Sequence, residues 1–92
     1  MLFHVYIQIN IPHDADQEKI RNLSAQEVKQ AQELQHQGKW LHLWRVAGKW
    51  ANVSVFDVDS IDELHAILSD LPLFPFMALD ITPLCKHPAA IG

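Results

Sequence analysis

Apolar and polar residues alternate from Leu2 to Ile11, with Phe3, Val5, Ile7 and Ile9 on one side and His4, Tyr6, Gln8 and Asn10 on the other. A period of two is that of a half-buried strand, and Pro12 ends it. The period then lengthens. Ile20, Leu23, Ala31 and Leu34 recur at the spacing of a helix with one buried face. Asp14 or Asp16 can cap its start, and Gly38 stands where a helix end favours positive φ. Trp40 to Val46 reads as a second strand, Gly48-Lys49 as a turn, and Trp50 to Val58 as a third strand, which together make a hairpin. Ser60-Ile61-Asp62-Glu63 is a capping box that opens a second helix, with Ile61, Leu64, Ile67 or Leu68, and Leu71 on its buried face. Pro72 and Pro75 close that helix, and Phe76 to Thr82 gives a fourth strand. From Pro83 to Gly92 there is no periodicity, so an irregular tail is expected.

The order β-α-β-β-α-β predicts an α+β, ferredoxin-like fold, an antiparallel four-stranded sheet with two helices on one face. The 92 residues are expected to form one domain, residues 1–92, with a modest core. Two helices cover only one side of such a sheet, so the other side must be polar or buried by a second copy. Trp40, Trp44, Trp50, Phe56, Phe74 and Phe76 are much aromatic surface for a core this small. Part of it is expected at an oligomer interface or a pocket wall; the alternative is that all of it is core.

Glu27 is the residue that invites chemistry. It is seven positions from both Ile20 and Leu34 and four from both Leu23 and Ala31, so it shares their helix face. A carboxylate pointing toward the core is costly to desolvate, its pKa rises, and a raised carboxylate suits general-base work. The alternative is a stripe lying off centre, with Glu27 at its polar edge. Arg45, His42, Asn52, Ser54 and Tyr6 are polar side chains within strand patterns and are candidate substrate binders. A guanidinium in a strand suits a bidentate clamp on a carboxylate, although pairing with Asp57 or Asp80 would also explain Arg45.

Other chemistries find less support. The six histidines show no metal-ligand spacing, and Cys85-x-His87 alone is weak, so no metal site is expected. Ser54 sits on no glycine-flanked elbow, and three glycines make no phosphate loop. A net charge of −4 with scattered Lys and Arg argues against nucleic acid as partner. No stretch approaches the about 20 apolar residues of a membrane span. The start has no basic, signal-like region, and the one cysteine cannot form an internal disulfide, so a cytoplasmic location is expected.

Lys39-Trp40-Leu41-His42-Leu43-Trp44-Arg45-Val46-Ala47-Gly48, followed by Ala51-Asn52-Val53-Ser54-Val55-Phe56-Asp57-Val58, resembles the muconolactone isomerase family. Met1 to Val5, Leu71-Pro72-Leu73-Phe74-Pro75 and Leu84-Cys85-Lys86-His87-Pro88 extend the resemblance over the whole chain. It implies an enzyme of bacterial aromatic catabolism that moves the ring double bond of muconolactone without metal or cofactor. It further implies a small lactone carboxylate as substrate, a dimeric α+β barrel type of packing within a homo-oligomer of ten copies, and a base that aligns with Glu27.

The chain departs from the family pattern at four places. Trp50 and Val53 replace tyrosines of the third strand, and Phe76 and Ala78 stand where a Tyr and an Asp are usual. Lost polar handles point to a related reaction, elimination of chloride from 5-chloromuconolactone to give a dienelactone. Dehalogenation needs the same proton abstraction but no proton return. The expectation is therefore a dehalogenase of this family, with ordinary muconolactone isomerisation as the alternative and a non-catalytic ligand-binding domain as the rival from another class.

Overall fold

A computed structural model describes residues 1–92. The elements are β1 (Leu2–Ile9), α1 (Gln17–His36), β2 (Trp40–Arg45), β3 (Ala51–Asp57), α2 (Ile61–Ser69) and β4 (Met77–Leu84), with a 3-10 turn at Phe74–Phe76 before β4. The sheet order is β2-β3-β1-β4, antiparallel throughout. This is the ferredoxin-like arrangement expected from the alternation of periods.

β1 carries the core. Phe3, Val5 and Ile7 are almost fully buried and pair with Phe56, Ser54 and Asn52 of β3. They pack with Ala31 of α1, Leu64 and Leu68 of α2, and Leu71. Each of the larger side chains among these contributes about 1.5–3 kcal/mol relative to exposure. Asp16 caps α1 by accepting from the Glu18 and Lys19 amides, and Gly38 follows the helix with φ 76°. The capping box of α2 is stretched by one residue: Ser60 Oγ accepts from the Glu63 amide, while Glu63 Oε1 accepts from the Asp59 amide at 2.8 Å. Glu63 Oε2 also takes Lys39 Nζ at 2.7 Å, tying α2 to the start of β2.

Two differences from the sequence expectation matter. β4 runs from Met77 through Pro83 to Leu84, whereas Phe76 falls in the 3-10 turn. A proline fits there because β4 is an edge strand, where the amide that proline lacks need not serve the ladder. The second difference is a bulge in β2. Trp40 pairs with Phe56 and His42 with Val55, so Leu41 is the extra residue. In an unbroken strand Trp40, His42 and Trp44 would share a face. The bulge instead sends Trp40 to the helix side together with Leu43 and Arg45, and leaves His42 and Trp44 on the other.

The sheet face away from the helices is mixed. It carries His4, Tyr6, Val53 and Val55, all half-buried, and the stacked rings of His42 and Trp44, 4.9 Å apart and 5° from parallel. Of the six aromatic residues noted in the sequence, Trp40 and Phe56 stack in the core at 4.6 Å. Phe74 and Phe76 are half-buried, while Trp44 and Trp50 are exposed. No helix is long and apolar enough to cross a membrane.

Candidate active site

Glu27 stands at mid-length of α1, and its helix face is the buried one: Ile20 and Ala31 are buried and Leu23 and Leu34 half-buried. Its carboxylate is itself half-buried. What holds it there is the segment that follows α2. Pro72 has no amide, and the amides of Leu71, Phe74 and Phe76 are spent on local turn carbonyls. The Leu73 amide is left over, and it donates to Glu27 Oε1 at 2.9 Å. Burial pushes the Glu27 pKa above its ordinary 4.5, partly opposed by this hydrogen bond. No cation neutralises it, because the ion pairs of the chain are Met1–Asp57 and Lys39–Glu63.

Glu27 faces a cleft of about 640 Å³ between α1 and the sheet, a size suited to a small organic ligand. Ile7, Ile9 and Met77 make its apolar floor, with Leu43 and Trp50 toward the open side. The sheet wall adds nitrogen donors: Arg45, Asn52 and Trp40. Arg45 makes no ion pair, and Asn52 is its register partner across the β2–β3 ladder. The indole Nε1 of Trp40 is buried without an acceptor. The cleft is thus polarised, with a basic carboxylate on the helix side and the nitrogen-bearing side chains of Arg45 and Asn52, neither of them paired with a carboxylate, on the sheet side.

Of the residues singled out in the sequence, the fold brings Glu27, Arg45 and Asn52 together in this cleft. Three others do not belong to it. Ser54 is fully buried over Val5 and donates to Asn52 Oδ1 at 2.6 Å, so it cannot itself contact a ligand. Tyr6 and His42 project from the opposite face, as the period-two alternation of β1 and the bulge of β2 require. Ser54, Tyr6 and His42, expected as binders beside Glu27, therefore lie outside the lining of the cleft that Glu27 faces. Trp40 and Trp50 are two of the aromatics expected at a pocket wall, whereas Ser24, Leu73 and Val28 are lining residues that the sequence did not single out. Ser24 and Val28 were findable as near neighbours of Glu27 on the helix, but a backbone amide such as that of Leu73 leaves no mark in a sequence.

Trp50 lines the cleft, but the other departures noted above do not. Val53 pairs with Tyr6, and Ala78 pairs with Gln8, both on the far face. Phe76 is half-buried in the 3-10 turn, its carbonyl accepting from the Asn10 amide. No group of three or more His, Cys, Asp or Glu side chains is placed to hold a metal ion, and Cys85 is exposed on the tail.

The profile of the muconolactone delta-isomerase family matches residues 1–90. The chain is 52% identical over 91 residues to a muconolactone delta-isomerase of Cupriavidus pinatubonensis, covering 99% of both chains. It is 48% identical to that of Pseudomonas putida, covering 99% of this chain and 95% of the relative. A crystal structure of muconolactone isomerase superposes with a TM-score of 0.94 at 50% identity, covering all of this chain and 96% of the other. A 5-chloro-2-hydroxyhydroquinone dehydrochlorinase from Burkholderia phenoliruptrix superposes with a TM-score of 0.64 over 95% of this chain and 96% of its own, but at 19% identity this likeness speaks for the fold alone. With a family profile over nearly its whole length and relatives at about half identity, the chain belongs to the muconolactone delta-isomerase family and is an isomerase-type enzyme.

Proposed function

We propose that the cleft binds muconolactone and shifts its ring double bond to give the enol-lactone of 3-oxoadipate, with Glu27 as the base. The observation that carries this reading is the half-buried, unpaired carboxylate facing a small apolar cleft whose opposite wall holds N–H donors. The ionised carboxylate takes the proton from the ring carbon that bears the acetate arm. The electron pair spreads through the ring double bond onto the lactone carbonyl oxygen as a dienolate. Return of the same proton to the carbon beside that carbonyl restores a neutral lactone with its double bond moved. A carboxyl of raised pKa serves both halves, since it accepts the proton more readily than an ordinary glutamate and still gives it back.

Chloride elimination begins with the same abstraction, so it is the close rival. Its case stood on four departures, of which only Trp50 reaches the cleft. Whole-length relatives at about 50% identity are named as isomerases, and isomerisation is accordingly placed first. A non-catalytic binding role required Glu27 exposed and salt-bridged, and it is neither. A homo-oligomer belongs with the proposed function, supported by Trp44 and Leu41, exposed at 58% and 43%; a cytoplasmic location rests on the single cysteine.

Incubation with muconolactone and with its 5-chloro derivative, following enol-lactone formation and chloride release, separates the two chemistries. Rapid conversion of the unchlorinated lactone is expected. Chloride release without it would reverse the order. The pH profile adds a second check. The base works only when ionised, so kcat/KM should fall as pH is lowered through the Glu27 pKa, with that acid limb above the ordinary 4.5. A limb at or below 4.5 would remove Glu27 from the base's role.

A further inference from the structure

Ser54 is the one polar residue among the buried side chains. It pairs with Val5 on one side and Leu43 on the other, and its relative exposure is 0%. A buried hydroxyl that finds no acceptor is costly, and here the only acceptor is Asn52 Oδ1 at 2.6 Å. The reverse assignment, with the Asn52 amide donating to Ser54, would leave the serine O–H without a partner, so the amide oxygen must face inward. The Asn52 nitrogen is then the end left over. It donates to nothing in the chain, Asn52 lines the cleft, and Arg45 is its register partner on the neighbouring strand.

We propose that Ser54 is a positioning residue: by holding the Asn52 amide in one orientation it turns the Asn52 N–H₂ toward the cleft, where with Arg45 it forms a donor pair selective for a ligand carboxylate. An asparagine free to rotate would offer oxygen as readily as nitrogen, and oxygen beside a carboxylate repels it. One buried hydroxyl therefore sets the sign of the cleft wall. This deepens the proposed function, on which it rests, by assigning the acetate arm of the lactone to the Arg45–Asn52 rung and leaving the ring to Glu27.

The test uses two non-reacting ligands, a saturated five-membered lactone with an acetate arm and its methyl ester, with binding measured by calorimetry. Ser54→Ala should weaken binding of the acid about tenfold, the scale of one hydrogen bond to a charged group, and leave the ester nearly unchanged. In an Asn52→Ala background the same change should have no further effect on the acid, since Ser54 acts only through Asn52. A merely structural role would weaken acid and ester alike, or add to the loss from Asn52→Ala, and either result would overturn the proposal. Wild-type protein that binds neither ligand would also overturn it. Failure here alongside normal muconolactone turnover leaves the isomerase reading standing. Acid-selective binding without turnover does the opposite.

Discussion

Glu27→Gln should lower kcat by about 100-fold or more, the loss typical when a general base is removed, while leaving the protein at least as stable as before. The two halves of this expectation come from the same burial. The glutamine oxygen can still accept from the Leu73 amide, so the tie between α1 and the segment after α2 survives. The charge does not. A carboxyl whose folded pKa lies above its unfolded value binds its proton more tightly in the native state. Its contribution to stability is fully present below about 4.5 and is lost as pH rises through the higher folded value. At neutral pH the ionised Glu27 therefore costs the fold something, and a neutral isostere removes that cost. Steady-state kinetics and a melting curve at pH 7 check both halves. Near-normal turnover would sink the base assignment, and a marked drop in Tm would show that the charge had been compensated after all. A loss of activity accompanied by equal or higher Tm is the signature of a residue placed for chemistry at the expense of stability.

That Glu27 belongs inside was only half legible in the sequence. The helical wheel put it on the face of Ile20 and Ala31, yet a stripe rotated by a few tens of degrees would have carried it to solvent. What decides the matter is a backbone amide 46 residues away, released by Pro72 and the turn around it. The framework was more readable. Alternation in β1, caps at Asp16 and Ser60, and the glycine turn in the hairpin are local signals, and they agree with the observed elements. Sites that depend on register were not readable. The single extra residue Leu41 decides whether Arg45 shares a face with Trp40 or is parted from it, and no pattern of apolar residues marks it. Ser54 and Asn52 are both short polar residues of one strand face. In the fold the one, paired with Val5, is a buried anchor, and the other, paired with Ile7, is a cleft wall. Pro83 looked like the start of an irregular tail because a strand's position at the sheet edge is a property of topology.

Arg45→Ala should raise the KM for muconolactone by roughly 10–100-fold, the scale of a lost charge-assisted contact, with a much smaller change in kcat. The sequence allowed a duller explanation in which Arg45 neutralises Asp57 or Asp80. The fold removes it: Asp57 pairs with the N-terminal ammonium, and Asp80 lies on β4, at the opposite edge of the sheet from β2. Arg45 is a guanidinium at a cleft wall that makes no ion pair within the chain, and a ligand carboxylate would supply one. Because the acetate arm is present in both ground and transition states, its clamp contributes uniform binding, and this is why the loss should appear in KM. Arg45→Lys refines the point, since an ammonium keeps the charge but not the planar fork, and only partial recovery is expected. The methyl ester of the substrate supplies the control: it should be indifferent to both substitutions. Equal damage to acid and ester would mean that Arg45 shapes the cleft without reading the carboxylate, and the lactone would then have to be held by its ring alone.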